Sequence, residues 1–158
     1  MTGVQTCALL ARRLLGPDGA LANGRLMILG RAPDVHALES VRGVSPRDLT
    51  IDLTGKTDLL TAFAALKHAR LFIGNDNGFG QMAAAAGAPT LTLFGPSDDR
   101  IWRPWGDNVR VARGARTLEE IRRVDPTLSG AVCHMIDLSA ESVLSAAEAL
   151  IDETAARA

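Results

Sequence analysis

Leu71-Phe72-Ile73-Gly74-Asn75-Asp76-Asn77-Gly78-Phe79-Gly80-Gln81 decides how this chain is read: an apolar strand empties into a turn of glycines, asparagines and one aspartate. An alanine-rich helix, Gln81 to Ala86, leaves that turn. This is the layout of a phosphate-binding turn, where backbone N–H groups at a helix start point at an anion and the helix dipole favours its charge. Gly87-Ala88-Pro89 breaks the helix, Thr90 to Phe94 reads as a buried strand, and Gly95-Pro96-Ser97-Asp98 makes a second polar loop. In an open α/β sheet, ligands bind beyond the carboxyl ends of the strands, so both loops are expected to open on one cleft.

Outward from this centre the same alternation continues. Arg25 to Gly30, with Leu26-Met27-Ile28-Leu29 at its middle, is a short continuous apolar run, as a doubly buried parallel strand requires. It ends in Gly30-Arg31-Ala32-Pro33-Asp34, where the proline is placed to begin a helix running toward Val41. Thr50-Ile51-Asp52-Leu53 is a weaker strand, and Gly55-Lys56-Thr57-Asp58 opens a helix with Leu59, Leu60, Phe63, Leu66 and Ala69 as its expected apolar stripe. Val109-Arg110-Val111 reads as a last strand, and Ser139 caps a final helix to Ala155 with Val143, Leu144, Ala147, Leu150 and Ile151 on one face. Strands alternating with helices specify an α/β, Rossmann-like parallel sheet with flanking helices and right-handed crossovers.

Composition bounds the function. The 158 residues carry 17 Lys+Arg against 18 Asp+Glu, a formal charge of −1, which supplies no electrostatic reason to expect a nucleic-acid partner. Arg110, Arg113, Arg116, Arg122 and Arg123 form the one arginine concentration; acids interrupt it, so it reads as a solvated face. No apolar run approaches the ~20 residues of a membrane span. Two cysteines, Cys7 and Cys133, make no disulfide framework, and a reducing compartment is expected. Residues 1–10 look foreign to the rest: Met1 to Leu9 resembles the translation of a sequencing-library adapter. The expected organisation is therefore a non-native leader over 1–10 and a single Rossmann-like domain over 11–158, the C-terminal piece of a longer protein.

Three competing motifs fall short. Gly55-Lys56-Thr57 echoes the end of a P-loop, but Thr50 stands where its first glycine belongs. Gly78 to Ala83 matches a dinucleotide fingerprint in form, but Asp98 lies in a loop rather than ending the next strand, so an NAD-binding domain is the weaker reading. Asn75, Asp76 and Asn77 could also act only as helix-capping residues. His36, His68 and His134 lack ligands at metal spacing, so no metal site is expected. Trp102 and Trp105 can stack on a ligand or pack at a rim.

The whole ordered run Gly74 to Asp98, followed by Trp102-Arg103-Pro104-Trp105-Gly106, resembles the donor-binding half of glycosyltransferase family 9, the heptosyltransferases of lipopolysaccharide core synthesis. Leu53 to Leu60 and Cys133-His134-Met135-Ile136 extend the resemblance, which spans most of Arg25 to Ile151. It implies the C-terminal half of a GT-B fold in an inverting enzyme. No separate cofactor is implied; the nucleotide-sugar donor, ADP-heptose in characterised members, is a substrate. The catalytic base and the glycolipid acceptor belong to the missing N-terminal domain, so no catalytic residue is expected in this stretch. The implied location is the cytoplasm, with at most peripheral contact at the cytoplasmic face of the inner membrane.

Residue by residue, the resemblance assigns donor contacts to Asp76, Asn77, Gly78 and Gly80, an adenine edge to Lys56 and Thr57, a ribose-binding acid to Asp34, and a second-loop acid to Asp98. Gln81 replaces the family's histidine, so a neutral amide stands where a cationic donor could be, with Arg100 or Arg103 available to share the load. That departure keeps two alternatives in view: a non-catalytic nucleotide or nucleotide-sugar module, and a decayed homologue.

Overall fold

The structure, a computed structural model, describes residues 3–32, 39–43, 46–128 and 134–157. Five strands occur among them, β1 Leu26–Ile28, β2 Thr50–Asp52, β3 Phe72–Asn75, β4 Thr90–Phe94 and β5 Val109–Arg113. Every pairing is parallel, in the orders β1-β2 and β3-β4-β5. The expected single sheet is thus two hydrogen-bonded pieces. Seven helices flank them: α1 Gly3–Leu15, α2 Glu39–Arg42, α3 Leu59–Leu66, α4 Gly78–Ala85, α5 Asp99–Trp102, α6 Leu118–Val124 and α7 Ala140–Ala155. A 3-10 turn, Arg47–Leu49, leads into β2.

β4 is the centre because all five of its residues are buried. Its alternation divides the core. Leu91 and Leu93 join Leu10 and Leu14 of α1 and Val143, Ala147 and Leu150 of α7 in one apolar cluster, while Thr92 faces α4 on the opposite side. There Leu66 of α3 and Ala83 of α4 pack with Ala88. α1 runs through the leader boundary expected at residue 10, and Leu10 is buried.

Two expectations shift for local reasons. α4 starts at Gly78 rather than Gln81, because Asn77 caps it: its side-chain oxygen accepts from Phe79 N and Gly80 N. In α3 the buried face is Ala62 and Leu66, whereas Leu59 and Leu60 are 73% and 80% exposed. Asp58 caps α3 by accepting from Thr61 N, and the first helical turn stands at the mouth of a cleft rather than over the sheet, so its leucines meet no core. Sequence reading also passed over α6, which Thr117 and Glu120 start with a reciprocal capping box. The arginine concentration is only partly a solvated face, since Arg110 pairs with Glu153, Arg113 with Asp99 and Arg116 with Asp137.

Candidate functional site

The site lies where strands end. Beyond β1 and β2 the parallel ladder continues through Leu53 N to Ile28 O, 3.0 Å, and Gly55 N to Gly30 O, 2.9 Å. Gly55 has φ +68, and a Cβ there would sit 3.1 Å from Ala32 Cα. Only glycine lets the two loops close this tightly. Between them and the starts of α3 and α4 opens a cleft of about 270 Å³ lined by Gly30, Arg31, Ala32, Gly55, Thr57, Asp58, Leu59, Ala62 and Phe79.

Of the expected donor residues, Thr57 lines this cleft. Lys56 is exposed and donates from Nζ to the Asp52 carbonyl at 3.0 Å. Asp34 lies outside the described residues, as do His36 and Cys133. Arg31 was missed: it stands three residues past the end of β1 and lines the cleft, and a cation in the loop that leaves a strand was the signal that could have found it.

At the next strand end, Asp76 N donates to the Leu93 carbonyl at 3.1 Å, which ties the turn after β3 to β4. The helix N-terminus is present as expected, but the amides are not all available. Asn77 Oδ1 takes Phe79 N at 2.9 Å and Gly80 N at 3.4 Å. Gly80 is buried, with Thr92 Cγ2 only 2.8 Å from the point its Cβ would occupy, so it also serves close helix–strand packing. Gly78 faces open space. Gln81 is exposed and its Nε2 donates to the Trp102 carbonyl at 2.8 Å.

The second loop is held from below by Arg113, whose guanidinium donates to the carbonyls of Gly95 and Ser97 and to Asp99 Oδ1, and lies 5.8 Å from the Phe94 ring centroid. Asp98 caps α5 through Arg100 N. The Arg100 guanidinium also donates to both Asp98 carboxylate oxygens, and that side-chain bond first of all holds Asp98 down at about 2. Trp102 and Trp105 are exposed at 60% and 89%. His134, buried, bonds Asp125 through Nε2 at 3.1 Å. Among the described residues no group of three metal-ligating side chains occurs.

Arg116 likewise pulls Asp137 down to about 2, chiefly through its side-chain bond and then through its backbone N–H. Both carboxyls lie below their ordinary value of 3.8, so the stability they contribute is complete above pH ~4 and is lost as pH falls toward 2. Urea midpoints measured from pH 5 to 2.5 should therefore fall with acid. They should fall less steeply in Asp137→Asn; an unchanged slope would remove Asp137 from the account.

Known proteins supply the remaining line of comparison. The sequence model of glycosyltransferase family 9 (heptosyltransferase) matches residues 23–129, a span that contains the cleft, the β3–α4 turn and the second loop. Lipopolysaccharide heptosyltransferase 3 of Escherichia coli (strain K12) is 35% identical over 147 residues, covering 87% of this chain and 40% of the relative. Lipooligosaccharide heptosyltransferase 2 of Haemophilus influenzae is 29% identical over 109 residues, covering 67% of this chain and 30% of its own length. In fold, a family 9 glycosyl transferase from Veillonella parvula superposes with a TM-score of 0.77 at 23% identity, over 95% of this chain and 41% of that one. The ADP-heptose heptosyltransferase II of E. coli superposes with a TM-score of 0.73 at 22% identity, over 96% and 42%. The chain thus spans between 30% and 42% of the length of these proteins and has the Rossmann-like architecture of part of a GT-B fold. With the family match running through every element of the cleft and both loops, this chain belongs to glycosyltransferase family 9.

Proposed function

We propose that this chain is the donor-binding domain, the C-terminal half, of an inverting heptosyltransferase that moves a sugar from an ADP-sugar to a lipopolysaccharide core or related glycan. What supports it most is the coincidence of the family match with one strand-end edge that carries both the cleft and the α4 N-terminus, Phe79 belonging to each. The cleft between Thr57, Leu59, Ala62 and Phe79 takes the adenine, flat and largely apolar, with Lys56 and Thr57 at its edge. Asp34 binds the ribose. Asp76, Asn77, Gly78 and Gly80 take the diphosphate and sugar, Gln81 bounds the same donor turn through its bond to the Trp102 carbonyl, and Asp98 belongs to the second loop beside them. Charge at the helix N-terminus stabilises the departing nucleoside diphosphate.

Residues 11–158 carry the binding residues in this reading, and α1 packs onto them across the expected boundary through Leu10. The deprotonating base and the acceptor site lie on the partner domain, so the chain alone performs no transfer. Among the described residues no helix is long and apolar enough to cross a membrane. The parent enzyme works at the cytoplasmic face of the inner membrane, where its glycolipid acceptor is presented, through peripheral contact at most.

Backbone amide NMR of the 158-residue chain, titrated with ADP, GDP, UDP and CDP, tests the reading. ADP is expected to shift Gly78, Phe79 and Gly80 selectively, and Asp76→Ala to abolish those shifts. The same sample given an ADP-heptose and an acceptor should release no ADP. Selective shifts by another nucleotide would remove the ADP-sugar assignment, and measurable transfer would overturn the division of labour between the halves.

A further inference from the structure

The first turn of α4, Gly78-Phe79-Gly80-Gln81, carries no cationic side chain of its own, and the surrounding contacts indicate where a charge can come from. Gln81 does not stand free: its Nε2 donates to the Trp102 carbonyl at 2.8 Å, across 21 residues of chain. Two residues further on, Pro104 is buried, with its Cγ 3.8 Å from the point a Cβ on Gly80 would occupy. Arg103 is therefore bracketed. The residue before it is bonded to the first turn of α4 and the residue after it is packed on the same turn.

Three arginines serve the second loop and its surroundings, and two are already committed. Arg100 holds both oxygens of Asp98, and Arg113 holds Asp99. Arg103 is exposed, and among the described residues it has no ion-pair partner. Its backbone neighbours touch Gln81 and Gly80 in the α4 turn that begins at Gly78, where a side chain would meet open space, and arginine is among the longest-reaching side chains.

Resting on the donor-site reading above, we propose that Gln81 is a positioning residue: it latches the Trp102–Pro104 segment onto α4, and Arg103 on that segment supplies the cationic contact to the nucleotide's phosphates. A planar guanidinium suits this role because it offers paired N–H donors to phosphate oxygens. The amide holds a carbonyl, and the charge is delivered one residue away.

Calorimetric titration of the 158-residue chain with ADP, AMP and adenosine, at low and high salt, decides it. Arg103→Gln is expected to weaken ADP about three- to tenfold, AMP less, and adenosine not at all, with the loss shrinking at high salt. Arg103→Lys should restore most of the affinity, and thermal midpoints should stay level, because an exposed side chain contributes little to folding. Gln81→Ala should weaken ADP as well, yet add nothing in the Arg103→Gln background, since both act through one contact. ADP affinity within twofold of the parent in Arg103→Gln, or losses that multiply in the double variant, would overturn the assignment while leaving the donor site intact. A parent chain that binds no ADP would overturn both.

Discussion

Phe94→Ala is expected to lower the urea midpoint by about 2 M. The ring is fully buried at the carboxyl end of the central strand, with Arg113 against its face and paired beside it in the β4–β5 register. Truncating a buried phenylalanine costs about 3–5 kcal/mol, and urea slopes for domains of this size run near 2 kcal/mol per M. Against a total stability of about 5–15 kcal/mol, that is enough to leave the variant marginal. The damage is not confined to the core, because Arg113 also anchors the carbonyls of Gly95 and Ser97, so the second loop loses the floor beneath its anchor. Trp102→Ala is the control. Its side chain is 60% exposed and its useful group, the carbonyl, is backbone, so the midpoint should move by no more than about 0.3 M. A Phe94→Ala midpoint within half a molar of the parent would show that the end of β4 is not the keystone described here.

Opposite signs are expected at two glycines only two residues apart. Gly80→Val should destabilise by about 2 kcal/mol, since its Cβ would lie 2.8 Å from Thr92 Cγ2 and Thr92 belongs to the buried central strand, which cannot yield. The strain falls on the α4–β4 contact beside the donor turn, so ADP affinity should drop as well. Gly78→Ala meets nothing within 4 Å and has no left-handed backbone, so it should stabilise by about 0.5 kcal/mol through lower unfolded-state entropy. Its cost appears only in binding, because a methyl group there obstructs close approach of a phosphate. Thermal or urea unfolding of the two variants, each with an ADP titration, checks all four signs. A stable Gly80→Val would mean that α4 can slide on the sheet, and an unperturbed ADP affinity in Gly78→Ala would move the phosphate site away from this turn.

Much of this was legible in residue order. Thr90 to Phe94 is an uninterrupted β-branched and apolar run, and a strand buried on both faces has no other pattern open to it. Ser139 and the stripe Val143, Ala147, Leu150 predicted α7 and its inner face, as observed. The turn after Phe72-Ile73 was located for the same local reason, since asparagine and glycine are the residues that cap and start helices. α3 was legible only in part. Its heptad-like spacing suggested Leu59 and Leu60 as core, but periodicity reports which residues share a face and cannot report where the sheet stops.

The family and the parallel α/β architecture were therefore determined by sequence alone, because both rest on local signals and on the order of motifs from Gly74 to Gly106. Only the tertiary structure decided how the site's parts are used. Asn77 spends its side chain on the amides of Phe79 and Gly80, Arg113 reaches back to carry the second loop, Arg31 lines the cleft, and Gln81 bonds the Trp102 carbonyl. Each of the last three joins residues far apart in the chain or across strand ends, and such pairings are set by how strands register and helices pack. No propensity or spacing carries them.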